Sequence, residues 1–269
     1  MRRTPFRTWR CVNDSHLKQQ DDFVDTSTLT LIVTAFLIAG SIKGAIGVGL
    51  PTTAIAILGT GLALQDAIPL LIFPSLIANI WQIIRGGDLR ELFRRFWLMN
   101  VIACVGIWVG TLILFRVESP LFSALLGLVI VVYTLTGLFA YAPRVPPHRE
   151  AMLSPLVGLG AGLLTGTTGS LLMPMMIYLQ ALNLDKDRFV QAAGLSLLIG
   201  TIAWAAALTQ QGAFETKVIM HSMFALIPTL FGIALGQWIR DRLSQKLFRK
   251  IVYGFQFLLG LNLIYKGLL

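Results

Sequence analysis

Long apolar segments alternate with short polar stretches along almost the whole chain after Thr26. The apolar stretches repeatedly reach roughly 17–25 residues, the length that an α-helix needs to cross the hydrocarbon core of a bilayer. The stretches between them carry turn residues and charges, as in Arg85-Gly86-Gly87-Asp88 and Asp185-Lys186-Asp187-Arg188. This pattern predicts an all-α polytopic membrane protein.

The pattern restarts near the middle of the chain, after a proline-rich linker at residues 142–150. We therefore predict a polar N-terminal tail at residues 1–26 and a single membrane domain at residues 27–269. Repeat one covers residues 27–141 and repeat two covers residues 151–269, with about five helical segments in each. Pro69 and Pro74 lie inside one apolar segment of repeat one and predict a kink there.

The two halves share more than their segment count. Five pairs of positions follow the same order with nearly constant offset: Asp66 and Asp187, Ser75 and Ser196, Gly87 and Gly212, the Gly-x-x-x-Gly pairs at 106/110 and 232/236, and Ser119 and Ser244. In repeat one a basic cluster at residues 85–95 precedes the Gly-x-x-x-Gly segment, whereas in repeat two the basic cluster at residues 240–250 follows it. Because basic loops favour the cytoplasm, matching segments are predicted to run in opposite directions, as inverted repeats.

Two glycine-rich motifs occupy matching positions in the two halves. The first runs from Gly40 to Pro51 and the second from Gly162 to Pro174. Glycine disfavours a helix by about 1 kcal/mol and proline by about 3 kcal/mol relative to alanine, so each motif predicts a broken helix. Paired breaks inside a membrane domain point to the binding site of a transporter. The alternative is that these glycines serve close helix packing, the role we predict for the Gly-x-x-x-Gly pairs.

A helix that restarts inside the membrane presents free N–H groups and the positive end of its dipole, which together attract an anion. We therefore predict that the two breaks hold a small oxyanion near the midplane. Lys43 is either a functional cation facing a cavity or a side chain that snorkels to the surface. Ser75, Asn79 and Ser196 are polar groups within spans, and either ligand contact or interhelical hydrogen bonding explains them. The predicted substrate-binding residues are Lys43, Gly44, Gly47, Gly49, Ser75, Asn79, Thr165, Gly166, Thr167, Thr168, Gly169, Ser170 and Ser196.

Composition narrows the possible functions. The chain is 55% hydrophobic and 13% charged, with a mean hydropathy of +0.74, against about 25% charged residues in soluble domains. The chain has a net charge of +9. Its basic residues form short clusters between apolar segments, where they orient the chain in the bilayer. The charge therefore does not indicate nucleic-acid binding. Cys11 and Cys104 are too few for a metal site or a disulfide framework. The sequence has no P-loop or catalytic triad, so we predict no cofactor and no enzyme.

With these glycine-rich motifs, the helices after Asp66 and Asp187 and the Gly-x-x-x-Gly segments, the chain resembles the sulfite exporter TauE/SafE family of membrane permeases. The resemblance covers roughly Thr28 to the C-terminus. It implies transport of small sulfur-containing anions, such as sulfite or organosulfonates, across a bacterial inner membrane.

We accordingly predict a secondary transporter for a small oxyanion, with rocking of the two halves giving alternating access. Its predicted partners are the lipid bilayer and a small inorganic or organic anion. The alternatives are a permease for another solute on the same scaffold and a non-transporting membrane protein that acts as an assembly partner or receptor.

Overall fold

The computed structural model describes residues 26–47, 49–84, 89–116, 121–138, 144–169, 174–214, 216–242 and 245–268. Most of the predicted N-terminal tail, together with Ser170, lies outside these residues. Within them the chain forms twelve α-helices: α1 Thr26–Ile46, α2 Leu50–Leu58, α3 Leu64–Leu70, α4 Ile72–Ile84, α5 Leu89–Arg116, α6 Leu121–Leu138, α7 Pro147–Thr168, α8 Met175–Ala181, α9 Lys186–Gln210, α10 Thr216–Phe224, α11 Leu226–Arg242 and α12 Gln245–Leu268.

Many of these helices match the dimensions of a bilayer. Among the described residues, five helical stretches are long and apolar enough to span a membrane, and α3 with α4 forms a sixth candidate as a bent pair. The five are Thr26–Ala45, Leu89–Arg116, His148–Thr168, Arg188–Gln210 and Thr216–Ile239. The described residues contain no strand. The all-α class and the several apolar helices predicted from the hydropathy pattern are confirmed.

The predicted kink in repeat one lies between α3 and α4, whose axes differ by 42°. Pro74 has no N–H to donate, so the carbonyl of Leu70, four residues earlier, loses its helical partner. Ser222 of α10 takes that place: its hydroxyl donates to Leu70 O at 2.8 Å and accepts from Phe73 N at 3.4 Å. A side chain from another helix thus satisfies the backbone groups that the break releases inside the apolar region.

Glycines allow two pairs of helices to pack with their backbones in contact. In the α5–α7 pair, a Cβ at Gly106 would lie 2.8 Å from Leu159 O, and one at Gly110 would lie 2.5 Å from Leu163 O. The α1–α11 pair repeats this arrangement, and Gly232 lies directly against the backbone of α1. Residue numbers rise together along both pairs, so the helices of each pair are parallel. The packing role predicted for the Gly-x-x-x-Gly pairs is confirmed.

Two further helix pairs are antiparallel. In the α6–α12 pair, Gly127 approaches Gly260 while Gly137 approaches the ring of Tyr253, so residue numbers fall on one helix as they rise on the other. The α4–α9 pair lies between the glycine-packed pairs and runs antiparallel in the same way.

The amino-terminal ends of α5, α7 and α9 meet at one end of the bundle. Arg95 pairs with Glu150 at 2.6 Å, and Arg188 pairs with Glu91 at 3.2 Å. We call this the basic end, because it carries the exposed side chains of Arg90, Arg94, Arg95, Arg149 and Arg188. The first turn of α7 begins at Pro147, inside the stretch predicted as linker, because a proline needs no N–H partner at a helix start.

Tyr178 ties the short helix α8 to α7. Its hydroxyl lies 2.6 Å from the Ser154 hydroxyl and donates to Glu150 O at 3.2 Å. We expect Tyr178→Phe to weaken this attachment by about 1 kcal/mol, the usual net value of a buried hydrogen bond. The apparent Tm in detergent should fall by roughly 2–4 °C. Tyr265→Phe is the matched control, because Tyr265 is exposed, and an equal loss in both variants would contradict this role.

Candidate functional site

The first break is shorter than the sequence predicts. Helix α1 continues through Lys43 and Gly44 to Ile46, and Gly47 N donates to Lys43 O at 2.7 Å. Gly47 and Gly49 then adopt φ values of 89° and 100°, a region that favours glycine, and α2 begins directly afterwards. Helix α1 therefore ends later than the motif predicts, at Ile46, and α2 begins at Leu50. Gly44 remains helical, because it packs against the backbone of Ile233 in α11. A glycine is therefore not sufficient to end α1.

The second break also begins later than predicted. Helix α7 continues to Thr168, and Gly169 ends it with a φ of 73°. The hydroxyls of Thr165, Thr167 and Thr168 donate to carbonyls four residues earlier in the same helix, at 2.7, 2.9 and 2.6 Å. These threonines are helical residues, contrary to their predicted place in the break. Gly169 itself packs closely against Trp204, whose ring a Cβ would approach to 3.0 Å.

The side chain of Lys43 turns into the bundle. It is only 6% exposed, and its Nζ donates to Asn79 Oδ1 of α4 at 2.6 Å. Asn79 Nδ2 in turn donates to Thr201 Oγ1 of α9 at 3.4 Å. Lys43 therefore does not snorkel to the surface. Its ammonium lies where α4 crosses α9, and the chain of three side chains joins both repeats.

Lys43 is one of the residues that line a cavity of about 130 Å³. By this measure one water needs about 10–15 Å³, so the space can hold several waters or a small anion. The cavity lies between α1, α4, α9 and α11, on the side of the basic end. Its lining residues are Lys43, Gly44, Gly47, Ala78, Trp81, Gln82, Val190, Ile233 and Gln237. Lys43 is the one charged side chain among them.

Gln82 fixes the orientation of α4 beside this cavity. Its Nε2 donates to Val190 O of α9 at 2.9 Å. Because Asn79 meets Thr201 while Gln82 meets Val190, the two helices are antiparallel at the site. The polar stripe Ser75, Asn79 and Gln82 follows a spacing of four and three residues, so it occupies one face of α4.

The predicted site residues divide into three groups. Lys43, Gly44 and Gly47 line the cavity, and Asn79 binds Lys43. The hydroxyls of Ser75 and Ser196 are fully buried and have no hydrogen-bond partner in the described part of the chain. The remaining described residues, Gly49, Thr165, Gly166, Thr167, Thr168 and Gly169, do not line the cavity.

Sequence reasoning missed Thr201, Gln82, Trp81 and Gln237. Gln82 could have been found, because it continues the helical spacing of Ser75 and Asn79 within an apolar span. No comparable signal marks Thr201, since only the crossing of α4 and α9 brings it to Asn79.

The family model for the sulfite exporter TauE/SafE family matches residues 32–263 of the 269-residue chain. The chain belongs to the sulfite exporter TauE/SafE family. The match includes both breaks, the α4–α9 crossing and the whole lining of the Lys43 cavity. No curated protein and no solved structure matches the chain.

Membership confirms the resemblance drawn from the motifs. The TauE/SafE family is a family of membrane permeases, so this chain is a multi-pass integral membrane protein with a transport function related to sulfite. Within the described residues, no group of three or more His, Cys, Asp or Glu side chains could hold a metal ion.

Proposed function

We propose that this permease is a secondary transporter that moves a small sulfur-containing oxyanion by alternating access, with Lys43 as the central substrate ligand. The observation that carries the proposal is the burial of Lys43 beside a cavity whose other lining residues, in the described part of the chain, are uncharged. A lysine buried inside a membrane domain is costly and marks a functional site by default. Its obvious ligand is an anion.

The charge balance around Lys43 supports this assignment. Lys43 forms no ion pair with any carboxylate of the described chain, and its one hydrogen bond goes to the neutral Asn79. A buried ammonium without a counterion loses much of its hydration and recovers little of that cost from an amide oxygen. An oxyanion in the cavity would supply the missing charge and accept hydrogen bonds from Nζ.

The arrangement of the helices supports the inverted repeats. Helix α1 packs parallel to α11 through glycines, and α5 packs parallel to α7 in the same way. If α1 corresponds to α7 and α5 corresponds to α11, the α1–α11 pair is the counterpart of the α5–α7 pair. The remaining pairs, α4 with α9 and α6 with α12, each join a helix to its own counterpart and are antiparallel, as opposite orientation in the membrane requires.

The basic end supports an orientation in the membrane. Arginines concentrate in cytoplasmic loops, so we place the basic end, and with it the mouth of the Lys43 cavity, on the cytoplasmic side of a bacterial inner membrane. In that orientation the cavity belongs to an inward-facing state. The buried hydroxyls of Ser75 and Ser196, which occupy matching positions in the two repeats, are further ligands for a state in which the halves of the site have rearranged.

The test is transport by the purified protein in proteoliposomes. We expect saturable flux of radiolabelled sulfite across the vesicle membrane, above the leak of protein-free vesicles. Sulfate, a dianion with a fourth oxygen, is measured beside it to define selectivity. The absence of flux for both anions, in protein that remains monodisperse after extraction, would contradict the proposed substrate and favour the non-transporting alternative.

A further inference from the structure

The hydrogen bonds that lead to Lys43 have a fixed direction. The Thr201 hydroxyl donates to Leu197 O at 2.7 Å, so its oxygen accepts from Asn79 Nδ2 at 3.4 Å. The Asn79 amide is thereby oriented with its oxygen toward Lys43, and this oxygen accepts from Nζ at 2.6 Å. A neutral amine also has N–H groups and can make the same bond. The contact with Asn79 is therefore compatible with both the charged and the neutral form of Lys43.

Lys43 is also the one side chain of its surroundings that can exchange a proton. The cavity is lined from α1, α4, α9 and α11. Among the described side chains, these four helices carry two further charged groups, Arg188 near the start of α9 and Arg242 at the end of α11. Arginine stays protonated in proteins. Asp185, the cap of α9, pairs with Arg188, and His221 lies on α10, of which no residue lines the cavity.

An anion at this site and a proton on Lys43 stabilise each other. An opposite charge within a few ångströms favours the charged form of an amine. By linkage, the proton on Lys43 strengthens anion binding by the same factor. When the anion leaves, the ammonium loses its counter-charge, because no carboxylate of the described chain forms an ion pair with it. The cavity is large enough for waters that can accept the released proton.

We propose that Lys43 carries one proton together with each anion, so that this permease is a proton–anion symporter. The inference rests on the proposed anion site and extends it to the energy source of transport. On one side of the membrane, the neutral amine takes a proton from cavity water as the anion binds, and an ammonium–anion pair forms. On the other side the pair separates, the new N–H bond breaks, and proton and anion leave together. The empty site returns with a neutral amine.

The return of the empty site is the step that requires loss of the proton. An empty site that kept its charge would rearrange with a buried, unpaired cation, which is expensive inside a membrane domain. A permanently charged side chain would therefore allow exchange of one anion for another, because the site is then loaded in both directions. The same side chain would oppose net transport, in which the site returns empty.

Lys43→Arg in proteoliposomes tests this distinction, because arginine keeps the charge but does not release its proton. We expect exchange of external radiolabelled sulfite for internal sulfite to stay within a few-fold of the wild type. Net uptake into sulfite-free vesicles should fall by about 100-fold or more, the factor that follows from leaving a buried charge unpaired. Protein-free vesicles measure the leak in both modes. Lys217→Arg makes the same substitution at an exposed position and should retain both modes.

Nuclear magnetic resonance of the wild type in nanodiscs gives a second measurement. With 13C at the lysine Cε atoms, the resonance of each lysine reports the charge of its amine, and Lys43→Met identifies the Lys43 resonance by its absence. At a fixed, mildly alkaline pH, added sulfite should move the Lys43 resonance from its neutral to its charged position. The Lys217 resonance should not move, and chloride at equal ionic strength should change neither.

The outcomes separate the symport from the proposed transport itself. Net uptake by Lys43→Arg at the wild-type rate would overturn the symport and leave sulfite transport standing, because a fixed cation would then suffice. Loss of both modes in Lys43→Arg would mean that the guanidinium does not fit, and the resonance of the wild type then decides. A Lys43 resonance that sulfite does not move overturns the symport. A wild type that neither transports sulfite nor responds to it in this resonance overturns both proposals.

Discussion

Lys43→Met should reduce sulfite flux by roughly tenfold to 150-fold while leaving the protein folded. The variant removes a charged hydrogen-bond donor, and hydrogen bonds to charged groups contribute about 1.5–3 kcal/mol. Methionine has similar length and no charge to desolvate, so the bundle should be as stable as the wild type or more stable. Flux per reconstituted molecule and the apparent Tm in detergent measure the two effects separately.

Two companion variants distinguish ligand binding from a structural role of Lys43. Lys217→Met removes an exposed lysine at the start of α10 and should retain wild-type flux. Asn79→Asp keeps the geometry but places a carboxylate where an amide oxygen now lies 2.6 Å from Nζ. The introduced carboxylate should pair with Lys43, compete with the anionic substrate and abolish flux. A fully active Asn79→Asp protein would show that the charge of Lys43 is not available to a substrate.

Gly236→Ala should prevent the bundle from assembling correctly. A Cβ at this position would lie 2.7 Å from the carbonyl carbon of Ser41, closer than the 3.0 Å below which real Cβ contacts essentially never fall. The obstacle is backbone, which cannot rotate away as a side chain can, so α1 and α11 must separate. Overpacking costs about 1–3 kcal/mol or more, and small residues are what lets membrane helices approach this closely.

The measurement is the fraction of monodisperse protein after extraction, together with its apparent Tm. Gly254→Ala is the matched control, because Gly254 is also helical but a Cβ added there would meet no atom within 4 Å. That control gains about 1 kcal/mol of helix propensity and should be at least as stable as the wild type. Equal yields from Gly236→Ala and Gly254→Ala would mean that the α1–α11 contact does not hold the bundle together.

The apolar periodicity was sufficient to predict the class of fold and most of the helices. The thickness of the bilayer restricts membrane-spanning helices to a narrow range of lengths. The apolar stretches at Leu89–Arg116 and Lys186–Gln210 could therefore be predicted as membrane-spanning helices. The kink near Pro74 followed from the missing N–H of proline. The exact ends of α1 and α7 could not be predicted, because Gly44 and Gly166 behave as helix breakers only in isolation. Their contacts with Ile233 and Ile107 belong to helices far away in the sequence.

Only a site residue that is unusual by itself in its sequence context could be predicted. Lys43 is conspicuous in the sequence because charged residues are rare inside membrane spans. In the structure its side chain lines a cavity. The threonines of the second motif drew attention by composition, yet their hydroxyls bond to their own helix. Local sequence cannot distinguish a hydroxyl that turns back to a carbonyl from one that faces a ligand. The hydrogen bonds of Asn79 to Lys43 and Thr201 could not be predicted from the sequence, because they depend on the packing of α4 against α9.

The glycine contacts of α1 with α11 and of α5 with α7 join repeat one to repeat two at two separate interfaces. A movement that separated repeat one from repeat two as rigid bodies would have to open both of these interfaces at once. In the proposed alternating-access mechanism, each moving body would therefore contain helices from both repeats. Cutting the chain between α6 and α7 would yield two fragments, and neither would contain a complete moving part.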